Sequence, residues 1–179
     1  MVDLRRKPPL IAPPRPGVPA DGSADGTGQL RLCHLVGPGA LVLLLASVSQ
    51  FEGKRNDPYL DIVKVSTVCY GETRVAMRHY SDAECSDMLA AGLADFAGPV
   101  LTRNPELAGH DAQLAAAVSL AYNIGPAAYR KSSVARGFSA GQWRSACDAF
   151  LKWSYAGGRQ VAGLLKRRQS ERVICLRGL

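Results

Sequence analysis

The sequence predicts an α+β fold that is mostly helical, with β-structure confined to residues 57–80. Two capping boxes, Ser81-x-x-Glu84 and Ser139-x-x-Gln142, indicate helix starts, because each side chain of such a box satisfies a backbone donor of the first turn. Apolar residues at intervals of four predict a further helix over residues 111–123. At 179 residues the chain forms one domain, or two small lobes that share a helix.

Residues 1–34 are expected to form a disordered extension. They are rich in Pro, Gly and Arg, with Pro8-Pro9 and Pro13-Pro14 followed by Asp21-Gly-Ser-Ala-Asp-Gly-Thr-Gly28. Such a composition cannot bury an apolar core.

Residues 35–50 form an apolar segment without a charged side chain. The segment is short for a transmembrane helix, which needs about 20 residues, and the Gly37-Pro38-Gly39 run lowers its hydrophobicity. One interpretation is a buried first helix of the fold. Another is a cleavable signal peptide, for which Ser47 and Ser49 provide a small-x-small cleavage site.

A helix is expected to end at Glu52, because Gly53 follows it and glycine is enriched just past helix ends. Asn56-Asp57-Pro58 is typical of a turn. The β-rich residues that follow, Tyr59-Leu60 and Val65–Tyr70, predict a small hairpin.

The remainder of the chain is predicted to be helical. The expected helices cover residues 82–98, 111–123, 126–131, 139–153 and 161–175, with a loop at 155–158. The first of them starts at the Ser81 box and runs as far as Pro99.

Glu52, Asp61 and Thr67 stand in the order E-x8-D-x5-T. Hydrolysis of a glycosidic bond needs an acid that protonates the leaving oxygen and a second carboxylate that activates water or stabilises the cationic transition state. A nearby hydroxyl can hold that water. The acid must keep its proton near neutral pH, which an apolar surrounding such as Val48 and Phe51 favours. The alternative is that both acidic residues are surface carboxylates of a charged loop.

With these residues the sequence resembles the phage-type lysozymes, glycoside hydrolase family 24, and is most similar to the endolysins of lambdoid phages. The resemblance covers roughly Leu41 to the last residue and leaves out residues 1 to about 33. Further matches occur in the family's order at Thr67-Val-Cys-Tyr-Gly-Glu-Thr73, Ser81-Asp-Ala-Glu-Cys85, Ala121-Tyr-Asn-Ile-Gly125, Trp153-Ser-Tyr-Ala-Gly-Gly158, Gly163-Leu-Leu-Lys-Arg-Arg168 and Glu171-Arg-Val-Ile-Cys175. The stretch Arg74–Tyr80 departs from the family, being shorter and lacking its glycine. We therefore expect a weaker grip on substrate at that edge of the cleft.

The resemblance implies a lysozyme-like fold of two lobes. A small β lobe is expected over about 51–80, a linking helix over about 82–98 and a helical lobe over about 105–179. It implies that Glu52, Asp61 and Thr67 form the catalytic set. It also implies inversion at the anomeric carbon and no need for a cofactor.

The resemblance further implies roles for residues outside that set. Asn123 can bind a sugar amide or hydroxyl, Tyr122 can stack on a sugar, and Ser132 is a weaker candidate on the same wall. Local packing and a helix cap are the alternative for the first two. Arg167 or Arg168 is expected to approach the acid and orient it, with at least one of the two on a solvated basic face.

Five cysteines are present: Cys33, Cys69, Cys85, Cys147 and Cys175. There is no Cys-x-x-Cys pair and no histidine at zinc-finger spacing, so a metal site is not expected. In an oxidising compartment we expect Cys69 to pair with Cys85 and Cys147 with Cys175, although four cysteines permit three connectivities. Free buried cysteines in a reducing cytoplasm are the alternative. Cys33 is either a free thiol or an alternative partner.

The chain carries a formal net charge of +7 from 22 basic and 15 acidic residues, which suits a polyanionic partner. No zinc-finger spacing, aromatic RNA-binding signature or phosphate loop accompanies the charge, so nucleic acid is not expected. For a lysozyme, the charge favours attachment to an anionic cell wall.

The similarity to lambdoid endolysins adds a third interpretation of residues 35–50. A signal-anchor-release segment enters the inner membrane, tethers an inactive enzyme, and later leaves the bilayer to join the fold. Marginal hydrophobicity fits release, because a strongly apolar span would stay inserted. A monomeric enzyme in the periplasm, at first tethered to the inner membrane, is then expected. The alternative is a stay in the host cytoplasm until holin-dependent release.

The sequence thus predicts an endolysin that hydrolyses the β-1,4 bond between N-acetylmuramic acid and N-acetylglucosamine in peptidoglycan and lyses the host cell. One alternative is a lytic transglycosylase, which cuts the same bond with one carboxylate and no water. Asp61 and Thr67 argue against it. The other alternative, a catalytically silent wall-binding protein, does not require an intact catalytic set.

Overall fold

The computed structural model describes residues 26–61, 64–73 and 75–179, which form eight α-helices and two small antiparallel hairpins. The helices are α1 (Thr27–Val36), α2 (Pro38–Glu52), α3 (Asp82–Arg103), α4 (Asp111–Ile124), α5 (Pro126–Lys131), α6 (Ser133–Ser139), α7 (Trp143–Asp148) and α8 (Ala162–Cys175). The strands are β1 (Arg55–Leu60), β2 (Ser66–Cys69), β3 (Tyr155–Ala156) and β4 (Arg159–Gln160). Short 3-10 turns follow α3 at Pro105–Leu107 and α7 at Ala149–Trp153. The predicted fold class, mostly helical α+β, is confirmed.

Helix α1 corrects the expected disordered extension. Residues 27–34 are helical, while residues 1–25 lie outside the described part of the chain. The carboxylate of Asp87 on α3 accepts hydrogen bonds from the backbone N–H groups of Gly28 at 3.3 Å and Gln29 at 2.8 Å. Because the first N–H groups of a helix have no partner within it, this buried carboxylate stabilises α1 in a way that its own residues do not reveal.

Helix α2 contains the apolar segment and lies in the main core, where Ala40, Leu44, Ser47 and Val48 are buried. Gly37 separates it from α1 with φ at 83°, a left-handed value that glycine adopts readily. The two helix axes differ by 118° at this break. Within the described residues, no single helix has the length and apolar composition of a membrane span, although α1 and α2 meet that test together as a bent pair.

The first hairpin pairs β1 with β2, with Tyr59 opposite Thr67 and an irregular register between Arg55 and Tyr59. It packs on a small second core separate from the main one. That core consists of Val68, Cys69, Val75, Tyr80, Cys85 and Met88. The disulfide between Cys69 and Cys85 therefore ties the end of β2 to the first turn of α3.

Helix α3 begins with the predicted capping box. The Glu84 N–H donates to Ser81 Oγ at 3.2 Å, and the Ser81 N–H donates to Glu84 Oε2 at 2.7 Å. The expectation that the helix ends at Pro99 is wrong, since it continues to Arg103. Proline removes one backbone donor and its ring crowds the carbonyl of the preceding turn, but the burial of Val100 in the main core favours a continuous helix.

The second predicted capping box is wrong. Ser139 ends α6 instead of opening a helix, and its hydroxyl accepts hydrogen bonds from Arg103 Nη1 at 2.7 Å and Asn104 Nδ2 at 3.0 Å. The next helix, α7, begins at Trp143 without a side-chain cap. The expected single helix over 139–153 is therefore a short α-helix followed by a 3-10 turn.

β-structure also extends beyond the predicted limits. Strand β1 begins at Arg55, and the expected loop at 155–158 is part of a second hairpin in which Tyr155 pairs with Gln160. In contrast, α4, α5 and α8 occupy nearly the predicted ranges.

The second disulfide, Cys147–Cys175, joins α7 to the end of α8 with a Cα–Cα distance of 5.6 Å. The structure thus contains both pairs named from the sequence, and Cys33 on α1 is a free thiol.

Helix α1 approaches α3 so closely at Gly28 that a Cβ atom there would lie 2.3 Å from the backbone oxygen of Asp87. We expect Gly28→Ala to lower the free energy of unfolding by about 1–3 kcal/mol, the usual cost of an overpacked contact. Gly98→Ala is the control, because its Cβ would meet no atom within 4 Å. There the smaller conformational freedom of alanine in the unfolded chain should stabilise by about 0.4–1 kcal/mol. Urea denaturation of the oxidised proteins measures both changes, and equal effects would contradict this account.

Candidate active site

Glu52 is the last residue of α2, and Gly53 ends the helix as the sequence predicts. The Glu52 side chain is only 13% exposed and accepts a hydrogen bond from Arg167 Nη1 on α8, with 2.8 Å between the donor and Oε1. The Arg167 guanidinium also lies over the Phe51 ring, 5.3 Å from its centroid. The last turn of α2 is thus held against α8 by one ion pair and one cation–π contact.

Behind this ion pair lies a cluster of charged side chains that are almost fully buried. Glu171 Oε1 accepts hydrogen bonds from Arg167 Nε at 3.2 Å, Arg168 Nη2 at 2.9 Å and Ser119 Oγ at 2.7 Å. Arg168 Nε lies 2.8 Å from Glu171 Oε2. Three cluster residues come from α8, whereas Ser119 comes from α4. We call these four residues the Glu171 cluster.

Desolvation dominates the electrostatics of this cluster. Burial raises the pKa of Glu171 above its ordinary value, against the opposing effect of Arg168 and Arg167. Burial also lowers the pKa of Arg168 to about 10, because the loss of hydration outweighs the attraction of Glu171. Arg168 therefore stays protonated at neutral pH. Buried charges are tolerated when they are paired and hydrogen-bonded, so each partner depends on the others.

Asp61 and Thr67 are joined to each other through Val65. The Val65 N–H donates to Asp61 Oδ1 at 2.9 Å, and the Asp61 N–H donates to the Val65 carbonyl at 3.0 Å. Thr67 Oγ1 donates to the same carbonyl at 2.9 Å. The backbone of Val65 therefore positions both side chains, while Glu52 is positioned by α8.

The residues expected on the opposite wall have different surroundings. The Tyr122 ring is buried and packs edge-on against Phe96, with 5.2 Å between the centroids. Ser132 is buried and caps α6 by accepting from the Ala135 N–H at 3.0 Å. These contacts favour packing and capping over sugar binding. Asn123 differs, because its buried Nδ2 has no hydrogen-bond partner within the described residues. It stays the stronger prediction for a substrate contact.

Of the two arginines expected to orient the acid, Arg167 contacts Glu52 and Arg168 contacts Glu171. The expectation that at least one lies on a solvated face is wrong, because their side chains are only 4% and 0% exposed. The sequence predicts no role for Ser119, and for Glu171 it shows only that the residue lies in a family-like stretch. The four-residue spacing of Arg167 and Glu171 would have indicated a helical ion pair, whereas no local signal connects Ser119 to them.

A family model described as phage lysozyme matches residues 49–171, which include Glu52, the first hairpin and the Glu171 cluster. The chain belongs to the phage lysozyme family. It is 39% identical over 132 residues to a SAR-endolysin of Enterobacteria phage P21, covering 71% of this chain and 78% of that protein. It is 38% identical over 132 residues to a SAR-endolysin of Bacteriophage PS119, covering 71% and 77%.

Solved structures of lysozymes share the fold of this phage lysozyme family member. P22 lysozyme matches with a TM-score of 0.66 and 27% identity over 74% of this chain and 94% of that one. The muramidase domain of SpmX from Asticaccaulis excentricus matches with a TM-score of 0.57 and 27% identity, again over 74% and 94%. The chain is therefore a glycoside hydrolase with the lysozyme fold. Its described residues contain no group of three or more His, Cys, Asp or Glu side chains that could hold a metal ion.

The planar guanidinium of Arg167 reaches two carboxylates at once, which a lysine ammonium cannot do in the same geometry. We expect Arg167→Lys to lower lysozyme turnover by about 10- to 100-fold, the scale expected for misplacing a reacting group by about 1 Å.

Arg172→Lys is the matched control for this substitution. Arg172 lies on the same helix but pairs at the surface with Asp148, at 2.7 Å from Nε to Oδ1. Exposed pairs of this kind contribute little, so this variant should keep wild-type turnover. If Arg167→Lys and Arg172→Lys lower turnover to a similar extent, the loss reflects a general sensitivity of α8, and the expected role of Arg167 is contradicted.

Proposed function

We propose that this phage lysozyme is an endolysin that hydrolyses the β-1,4 bond between N-acetylmuramic acid and N-acetylglucosamine in peptidoglycan and so lyses the host cell. The observation that supports this proposal most is the environment of the Glu52 carboxyl group. Its carboxyl group lies at a helix end, mostly shielded from water, and Arg167 holds it in one orientation. Substrate assignment rests on family membership and on the muramidase neighbour.

In this proposal Glu52 is the general acid that protonates the glycosidic oxygen as the bond breaks. Asp61 orients and activates the water that attacks the anomeric carbon. Thr67 holds that water by accepting a hydrogen bond, since its own proton is directed to the Val65 carbonyl. Inversion requires carboxyl groups about 6.5–9.5 Å apart, which leaves room for the water between acid and base.

Glu52→Gln retains the shape of the side chain and removes the proton donor. We expect turnover on purified peptidoglycan to fall by at least about 100-fold, the lower end of what a positioned acid or base contributes. Mass spectrometry of the released sugars should find muropeptides with reducing ends from the wild type and none from the variant. Anhydro sugars from the wild type would instead indicate a transglycosylase.

Asp57→Asn provides the matched control for the acid. Asp57 lies in β1 of the same lobe and pairs with His79 at the surface, 2.8 Å from Nδ1 to Oδ1. This variant should release the same products at the wild-type rate. Wild-type turnover in Glu52→Gln would refute the proposed acid.

We also propose that the α1–α2 region enters the inner membrane transiently before the enzyme becomes active in the periplasm. Two observations support this step. The helices together have the length and composition of a span, and the relatives from phages P21 and PS119 are SAR-endolysins.

Fractionation of cells that express the full chain tests the membrane proposal. We expect inactive protein in the membrane fraction, which becomes active and soluble in the periplasm after the membrane is depolarised. Val42→Asp should keep the protein out of the membrane fraction, because a charged side chain opposes insertion, and it leaves the core intact because Val42 is exposed in the folded enzyme. Wild-type protein that is wholly cytoplasmic, active and reduced would contradict the proposal.

A further inference from the structure

Glu171 is a fully buried acidic residue that lies one helical turn after Arg167 on α8. Three hydrogen bonds converge on its Oε1, and Arg168 Nε lies 2.8 Å from its Oε2 as an ion-pair contact without hydrogen-bond geometry. Every one of these partners is a donor, an arrangement that suits an ionised carboxylate. Taking a charged side chain out of water is costly even when it is paired and hydrogen-bonded. The burial of Glu171 therefore indicates a role in positioning the side chains around it.

The position of Arg167 depends on two carboxylates. Its Nε donates to Glu171 and its Nη1 donates to Glu52, while Nη2 has no hydrogen-bond partner within the described part of the chain. Because the guanidinium is planar and rigid, a bond that holds Nε also sets the direction of Nη1. The orientation of the Nη1–H toward Glu52 Oε1 is therefore set from the Glu171 side.

We propose that Glu171 is a positioning residue for catalysis, which holds the Arg167 guanidinium in the plane that orients the Glu52 carboxyl group. This inference rests on the proposed function, in which Glu52 is the acid. Ser119 and Arg168 have the supporting task of holding the Glu171 carboxylate in place. The acid on α2 is thus linked through α8 to a hydroxyl on α4.

The balance of charges supports this role. Arg167 and Arg168 carry two positive charges, and Glu171 carries one negative charge when ionised, so the group is neutral when Glu52 is ionised and carries one positive charge when Glu52 holds the proton that the acid needs. The charged groups that act on Glu171 are the two arginines of its own helix, and α4 contributes only the uncharged Ser119. Removing the Glu171 charge leaves an excess positive charge beside the acid.

Glu171→Gln tests the inference directly. On soluble peptidoglycan chains we expect kcat to fall by about 10- to 100-fold with little change in KM, because the acid is misplaced while the sugar-binding groups remain. The alkaline limb of the pH–rate profile should move to lower pH, since the excess positive charge makes proton loss from the acid easier. A purely structural residue would change the unfolding temperature without moving this limb.

Ser119→Ala serves as a second variant, which keeps every charge and removes one hydrogen bond to Glu171. It should lower kcat by about 2- to 10-fold and move the same limb by a smaller amount. Arg172→Gln on the exposed side of α8 is the control and should leave kcat, KM and the pH profile at wild-type values.

Wild-type kcat and pH profile in folded Glu171→Gln would overturn the inference. If Glu171→Gln does not fold, a wild-type kcat and pH profile in Ser119→Ala would overturn the inference. Failure of the proposed function gives a different result, because Glu52→Gln would then retain turnover while the Glu171 variants lose theirs.

Discussion

The buried ion pair between Glu52 and Arg167 connects parts of the chain that lie 115 residues apart. Neither charge can be left alone, because a buried charge without a partner is strongly destabilising. The pair therefore forms only when α2 and α8 are both packed in the main core. Since Arg167 also depends on Glu171, and Glu171 on Ser119, the same requirement extends to α4. The position of the Glu52 carboxyl group thus depends on the packing of α2, α4 and α8 against one another.

Because of this dependence, the apolar segment over residues 35–50 affects both the proposed membrane insertion and the position of Glu52. The residues that make α2 compatible with a bilayer, such as Leu44 and Val48, are the residues that bury it against the core. Glu52 follows them directly at the helix end. On the membrane proposal, a helix that lies in the bilayer cannot also place Glu52 against Arg167. Tethering and activity would then exclude each other without any separate inhibitory element.

The features that sequence predicted well are those that arise from local interactions. Gly53 ends α2, the Ser81 box opens α3, and the predicted hairpin forms with Thr67 in its second strand. The features that it missed depend on distant partners. Helix α1 has its first turn capped by Asp87, which lies 59 residues after Gly28.

Distant partners also explain why sequence reasoning assigned a wrong role to Ser139 and none to Ser119. Ser139 fits a capping box by spacing, yet its hydroxyl accepts from Arg103, which precedes it by 36 residues. Ser119 has no unusual neighbours in the sequence, and its contact with Glu171 spans 52 residues. The candidate acid and the arginine expected to orient it were therefore accessible to sequence reasoning, whereas Glu171 and Ser119, which hold that arginine in place, required the packed structure.

The proposed catalytic set combines two sources of rigidity. Glu52 is placed by long-range buried charges, whereas Asp61 and Thr67 are placed by hydrogen bonds to the backbone of Val65. Val65 lies directly before β2 of a hairpin with a small core, and β2 is anchored to α3 by the Cys69–Cys85 disulfide. A bridge that closes a loop of this size, with a sequence separation of 16 residues, stabilises by about 3 kcal/mol. The second disulfide, Cys147–Cys175, fixes the end of α8, the helix that carries Arg167. Oxidation therefore stabilises both sides of the proposed site, whereas the docking of α2 acts on the side of the proposed acid. On this proposal, the active enzyme combines a docked α2 with a framework that two disulfides hold together.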